Sequence, residues 1–160
     1  MKPLISISLA LCLFLGMSAA TVYAAQDDLP NQALYQVKTW SEDAALSLPV
    51  STQTRLDYAL DFSDRRIAEI GTQVMAGEPV SAQLETRLQT QLELALQLAA
   101  ELDEPLMNQG LEKIRTRSEI QTQIMTMLMT NAPESVQPVL ERIRDRTRLQ
   151  VDLAALGQTD

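Results

Sequence analysis

Apolar positions along this chain recur at intervals of three and four, and prolines and glycines cut the pattern into helical lengths. No stretch alternates apolar and polar residues as a half-buried strand would. The pattern predicts an all-α fold, an antiparallel helical bundle of about five helices over 31–47, 51–76, 81–102, 105–130 and 134–156. Pro30 and Pro49 bracket the first helix, whose expected buried face is Leu34, Val37, Ser41, Ala45 and Leu48. Ser51 is the expected N-cap of the second. Its residues Leu56, Leu60, Ser63, Ile67, Ile70 and Val74 repeat as the heptad seam of packed helices. On its outer face Asp61 and Arg65, then Arg65 and Glu69, stand one turn apart, where opposite charges pair.

The third segment carries Glu85, Gln89, Glu93, Gln97 and Glu101 every four residues, with leucine and alanine filling most of the rest. A helix with so narrow a polar stripe must bury most of its circumference, so it is expected at the centre of the bundle or at an oligomer interface. In the fourth, Met107, Leu111, Ile114, Ser118, Gln121, Met125 and Leu128 form one stripe, interrupted by Ser118 and Gln121. Asn131, Ala132, Pro133 and Glu134 read as a restart: a cap, then proline and an acid in a first turn. The fifth helix turns Val136, Leu140, Ile143 and Thr147 inward, and Gly157 stops it. The short connections favour antiparallel neighbours.

The N-terminus follows a different logic. Lys2 precedes an apolar run from Leu4 to about Met17, and small residues follow, with Val22 and Ala24 at −3 and −1 of a cleavage site. The expected division is a secretory signal peptide, 1–24, and a single helical-bundle domain, 25–160. The expected location is extracytoplasmic: periplasmic, cell-envelope or secreted. Left uncut, Pro3 to Ala25 is long enough to span a bilayer, so contact with a membrane is expected only in that case. Cys12 lies inside the apolar run behind Leu11, not behind the small residue that a lipoprotein site needs.

After cleavage the chain has neither cysteine nor histidine. That excludes disulfides, Ser–His and Cys–His nucleophile pairs and an ordinary zinc site. No glycine-rich phosphate loop is present. Without Lys2 there are 12 basic and 21 acidic residues. Such a balance speaks against nucleic acid and anionic lipid as partners.

Several clusters invite chemistry. Asp57, Asp61 and Asp64 share a helix face, and Glu101, Asp103 and Glu104 gather at a turn; carboxylates so placed are calcium candidates, although neither group has calcium-loop spacing. Met125 and Met129 share a face, with Met127 pointing away, and thioethers select copper(I). Against these stand a solvated acidic face and methionine core filler. Arg142, Arg144, Arg146 and Arg148 split into two pairs around the axis, beside Glu141, Asp145 and Asp152, and read as an exposed salt-bridge-laced face.

Leu29, Pro30, Leu34, Tyr35, Val37, Lys38 and Glu42 resemble the "LPxxxLYxxK…E" opening of a family of exported or membrane-anchored bacterial helical domains of unknown function. That family's "RRxxEI" helix is matched here by Arg65, Arg66, Ile67, Glu69 and Ile70, after Arg55 and Leu56; Asn131 to Glu134 resemble its later restart. The resemblance runs from about Leu29 to Leu156, with Ala33 and Gln36 where that family often has prolines. It implies an extracytoplasmic, helical, non-enzymatic domain and no particular activity. Read physically, Leu34, Tyr35 and Trp40 would give the first helix an apolar hold, and Lys38 could pair with Glu42.

The resulting expectation is a non-catalytic interaction or scaffold module without a cofactor, working through a protein partner or through self-association. The alternative is an envelope binder of metal or a small molecule, with copper(I) on the methionines or calcium on the acidic face.

Overall fold

The computed structural model describes residues 26 and 28–158, so the expected signal peptide and its cleavage site lie outside the described residues. Five helices are present among the described residues: α1 Tyr35–Ser47, α2 Thr52–Met75, α3 Ala82–Ala100, α4 Glu104–Asn131 and α5 Gln137–Gly157. The fold is all-α, as the periodicity predicts. The chain divides into two compact units between Ser47 and Leu48. Helix α1 belongs to the first unit and α2–α5 to the second.

In α1 the buried residues are Tyr35, Lys38, Thr39 and Glu42. The expected face is therefore displaced by about one residue: Leu34, Val37, Ser41 and Ala45 are half-buried, and Leu48 is exposed. Trp40, expected as an anchor, is 69% exposed. The cause is legible in the segment. Tyr35 and Leu46 lie on one side of the axis and Val37, Trp40 and Ala44 on the other, so no single stripe fixes which face turns inward. The helix also begins later than predicted, because residues 31–34 form turns.

The second unit follows its seams closely. In α2 all six predicted positions, Leu56 through Val74, are buried. Ser51 caps it, its Oγ accepting from the Thr54 N–H at 3.1 Å. At its end the Glu78 N–H reaches the Gln73 carbonyl at 2.9 Å and the Gly77 N–H the Val74 carbonyl at 3.0 Å. This is a Schellman closure, and it needs the positive φ of 73° that Gly77 supplies without strain. The Gln73 Oε1 then accepts from the Ser81 N–H at 3.0 Å, tying the end of α2 to the start of α3.

Helix α3 packs against α2, α4 and α5, and α4 packs against α2, α3 and α5. These two form the inner pair, with α2 and α5 outside. The wide apolar circumference of α3 is met by burial of Leu84, Leu88, Leu92, Ala95 and Leu98. In α4 the interrupted stripe is the true one: Ser118 and Gln121 are buried with Leu111, Ile114 and Met125. Helix α5 starts at Gln137, later than the expected restart, since 134–136 form a turn. The capping there runs the other way. Gln137 Nε2 donates to the Met129 carbonyl at 2.6 Å and the Ala132 carbonyl at 3.0 Å, closing α4.

Candidate functional site

The three aspartates of the acidic face are engaged by cations from α4. Lys113 Nζ lies 2.7 Å from Asp57 Oδ1. Arg117 Nη1 bridges Asp61 Oδ1 and Asp64 Oδ2, each at 2.6 Å. Gln121 Nε2 adds a bond of 2.7 Å to Asp64 Oδ1 and one of 2.9 Å to the buried Ser63 Oγ. What reads in sequence as an isolated carboxylate row is thus one half of an interhelix ladder. Asp61 spends its charge on Arg117, a residue 56 positions away, where the sequence suggested Arg65. Arg65 lies over the Phe62 ring, 5.2 Å from its centroid. Glu101, Asp103 and Glu104 are exposed at the α3–α4 turn, and no cluster of three or more potential metal-binding side chains is found among the described residues.

The methionines do not form a common site. Met125 is fully buried in the core, Met127 is exposed, and Met129 is half-buried with its sulfur accepting from Arg144 Nη1 at 3.7 Å. The arginine run also divides. Arg142 and Arg146 both reach Glu85 on α3, at 3.2 and 2.8 Å. Arg144 pairs with its neighbour Asp145. The hydrogen bond from Arg142, then the charges of Arg142 and Arg146, lower the Glu85 pKa below its usual 4.5, against the opposing effect of burial. In the "RRxxEI" stretch, Arg66 is withdrawn from solvent and pairs with Glu69 at 3.0 Å.

One surface feature lay outside the sequence reading. The parallel helices α2 and α4 enclose an open apolar groove of about 560 Å³. A second hollow of about 410 Å³ continues it, sharing Met75, Ile124 and Leu128. Gly71 forms its floor, where an added Cβ would lie 3.7 Å from Leu128. Its lips carry Met75, Ile120 and Met127, which are 78%, 52% and 63% exposed. A signal was available: Ile120, Ile124 and Met127 repeat at four and three beside the buried stripe of α4, giving that helix two apolar faces where one suffices for the core.

A four-helix unit with ion-paired flanks and an apolar groove defines a helical-bundle class of protein. Residues 27–150 match the family described as "Domain of unknown function (DUF5667)", and the chain belongs to that family. No curated protein and no solved structure matches the chain.

Proposed function

We propose that the protein is a non-catalytic interaction module working outside the cytoplasm, and that the α2–α4 groove is its contact surface. The observation that carries this reading is the gathering of exposed Met75, Ile120 and Met127 along one groove. The charged side chains of the neighbouring helix faces are spent on interhelix pairs. Methionine is well suited to such a lip, because its unbranched, polarizable side chain adapts to varied apolar partners. A groove between parallel helices suits an amphipathic helix laid along it. The N-terminal pattern of Lys2, an apolar run and Val22 and Ala24 supports export.

The test is in-cell cross-linking of a tagged full chain in its native host, compared with Met75→Glu and Met127→Glu. Both positions are exposed, so the helical circular dichroism should not change. One captured protein lost in both variants supports the reading. Capture unaffected by either variant refutes the groove. Capture of the chain itself alone makes it a self-assembling component. Fractionation of the same cells, with sequencing of the mature N-terminus, tests export: an uncut chain in the cytoplasm would refute it.

A further inference from the structure

The seams of the second unit share an irregularity. In α2 the order is Leu56, Leu60, Ser63, Ile67; in α3 it is Leu84, Leu88, Gln91, Ala95. In α4 it is Ile114, Ser118, Gln121, Met125, and in α5 Ile143, Thr147, Gln150, Ala154. Each helix thus places polar residues in an otherwise apolar seam, and all are buried. Pairings between helices show that they fall at one level. Ser63 touches Gln121 directly, at 2.9 Å. Thr122, next to Gln121, meets Thr147 at 2.8 Å. Glu85 faces Arg142 and Arg146, so Gln91, six residues on along parallel helices, stands level with Gln150. The pairing of Gln73 with Ser81 across the antiparallel α2–α3 turn sets Gln91 level with Ser63.

We infer that Ser63, Gln91, Ser118, Gln121 and Gln150 form a polar layer that locks the register of the four helices. A heptad seam is self-similar, so sliding one helix by seven residues preserves its apolar contacts. Such a slip of α2 would set Leu56 or Ile70 against Gln121 in place of Ser63. The Gln121 Nε2 would lose the Ser63 Oγ and the flanking Asp64, and a buried amide without a partner is costly. Buried polar residues at seam positions specify alignment in this way, at a cost in stability. The cost is visible here: Gln91 Oε1, Gln121 Oε1, Gln150 Oε1 and Ser118 Oγ are buried without a protein partner among the described residues. An arrangement tuned for stability alone would carry aliphatic side chains at these positions.

The test uses the full chain with Cys12→Ser, so that introduced cysteines are the only thiols. Asp57→Cys with Lys113→Cys reports the native register, because these side chains face each other on the half-exposed flank. Asp57→Cys with Ile120→Cys, seven residues further along α4, reports a one-heptad slip. Each pair is bridged with a short bis-maleimide, in the parent and in a variant carrying Ser63→Ala, Gln91→Leu, Ser118→Ala, Gln121→Leu and Gln150→Leu. The parent should cross-link through the native pair. The variant should melt no lower than the parent, yet cross-link through both pairs and give more than one set of amide resonances. A variant that keeps the native pair alone and one set of resonances overturns the register lock. A variant melting well below the parent, still in one state, overturns it equally, since the layer would then be a stabilising network. If the fivefold variant does not fold, Ser63→Ala with Gln121→Leu, which removes one donor–acceptor pair, is read by the same criteria.

Discussion

Arg66 places its Nη2 3.0 Å from Glu69 Oε1, one turn further along α2, and the two side chains are 0% and 7% exposed. A charge pair so enclosed is costly to break, because neither member can fall back on water. Removing one partner alone, as in Glu69→Ala, should cost about 3–5 kcal/mol. Replacing both with Met should cost clearly less than the sum of the two single losses, since each single change already breaks the same pair. Denaturant melts of the single and double variants measure this coupling, and simple additivity would mean that the two residues act separately.

The start of α4 is set by close approach. A Cβ on Gly110 would lie 2.9 Å from Leu56 Cδ2, and Leu56 is fully buried. Alanine gains about 1 kcal/mol over glycine in a free helix. Overpacking a filled core costs about 1–3 kcal/mol, so Gly110→Ala should lower stability or leave it unchanged, despite the propensity gain. In a Leu56→Ala background the same change should become stabilising. Thermal melts of the four proteins check the sign, and a gain from Gly110→Ala in the parent would show that Leu56 yields freely.

How far the sequence carries depends on which force places a residue. The seams of α2–α5 are set by apolar burial at helical period, so Leu56 through Val74 and Met107 through Leu128 are legible, Ser118 and Gln121 included. Cross-helix partners are not. Arg117 lies 56 residues from Asp61, and only the packed bundle brings them together, whereas helical spacing offers Arg65. In α1 the apolar residues divide between opposite sides of the axis, and the buried set of Tyr35, Lys38, Thr39 and Glu42, although at helical spacing, is mostly polar, so apolar periodicity does not mark it. The groove was readable in principle from Ile120, Ile124 and Met127, but a second apolar face on one helix passes for surplus core until its neighbours are placed.

The ladder between α2 and α4 should be graded. Lys113 and Asp57 are each 42% exposed, and a pair so open is worth about 0–1 kcal/mol, so Lys113→Ala should barely move the melting temperature. Asp64 is different, because it also accepts from Gln121, whose other bond ends on buried Ser63. Asp64→Ala should therefore cost more, about 1–3 kcal/mol, by leaving a buried amide short of a partner. Calcium added to the parent should leave the melting temperature unchanged, since Asp57, Asp61 and Asp64 already hold cations. A saturable rise would show that the metal displaces Lys113 or Arg117.

Glu85 gives the unit an acid-sensitive joint. Its carboxylate takes Arg142 and Arg146 from α5, and its pKa is lowered below 4.5 in the folded chain, with the hydrogen bond from Arg142 the largest cause. A carboxyl group whose pKa is depressed on folding binds protons more readily when unfolded. Its contribution is therefore complete above the unfolded value of about 4.5. It fades as pH falls through the lower folded value. Glu85→Gln keeps the shape and removes the charge, so at neutral pH it should be less stable than the parent, by a small amount because both arginines are partly exposed. As pH drops below 4.5 the two stability curves should converge, the parent losing what the variant never had. Melts from neutral pH down to about 3, in low salt and again in high salt, test this; a difference that persists undiminished at the acid end would mean that the amide substitution acts through packing, not charge.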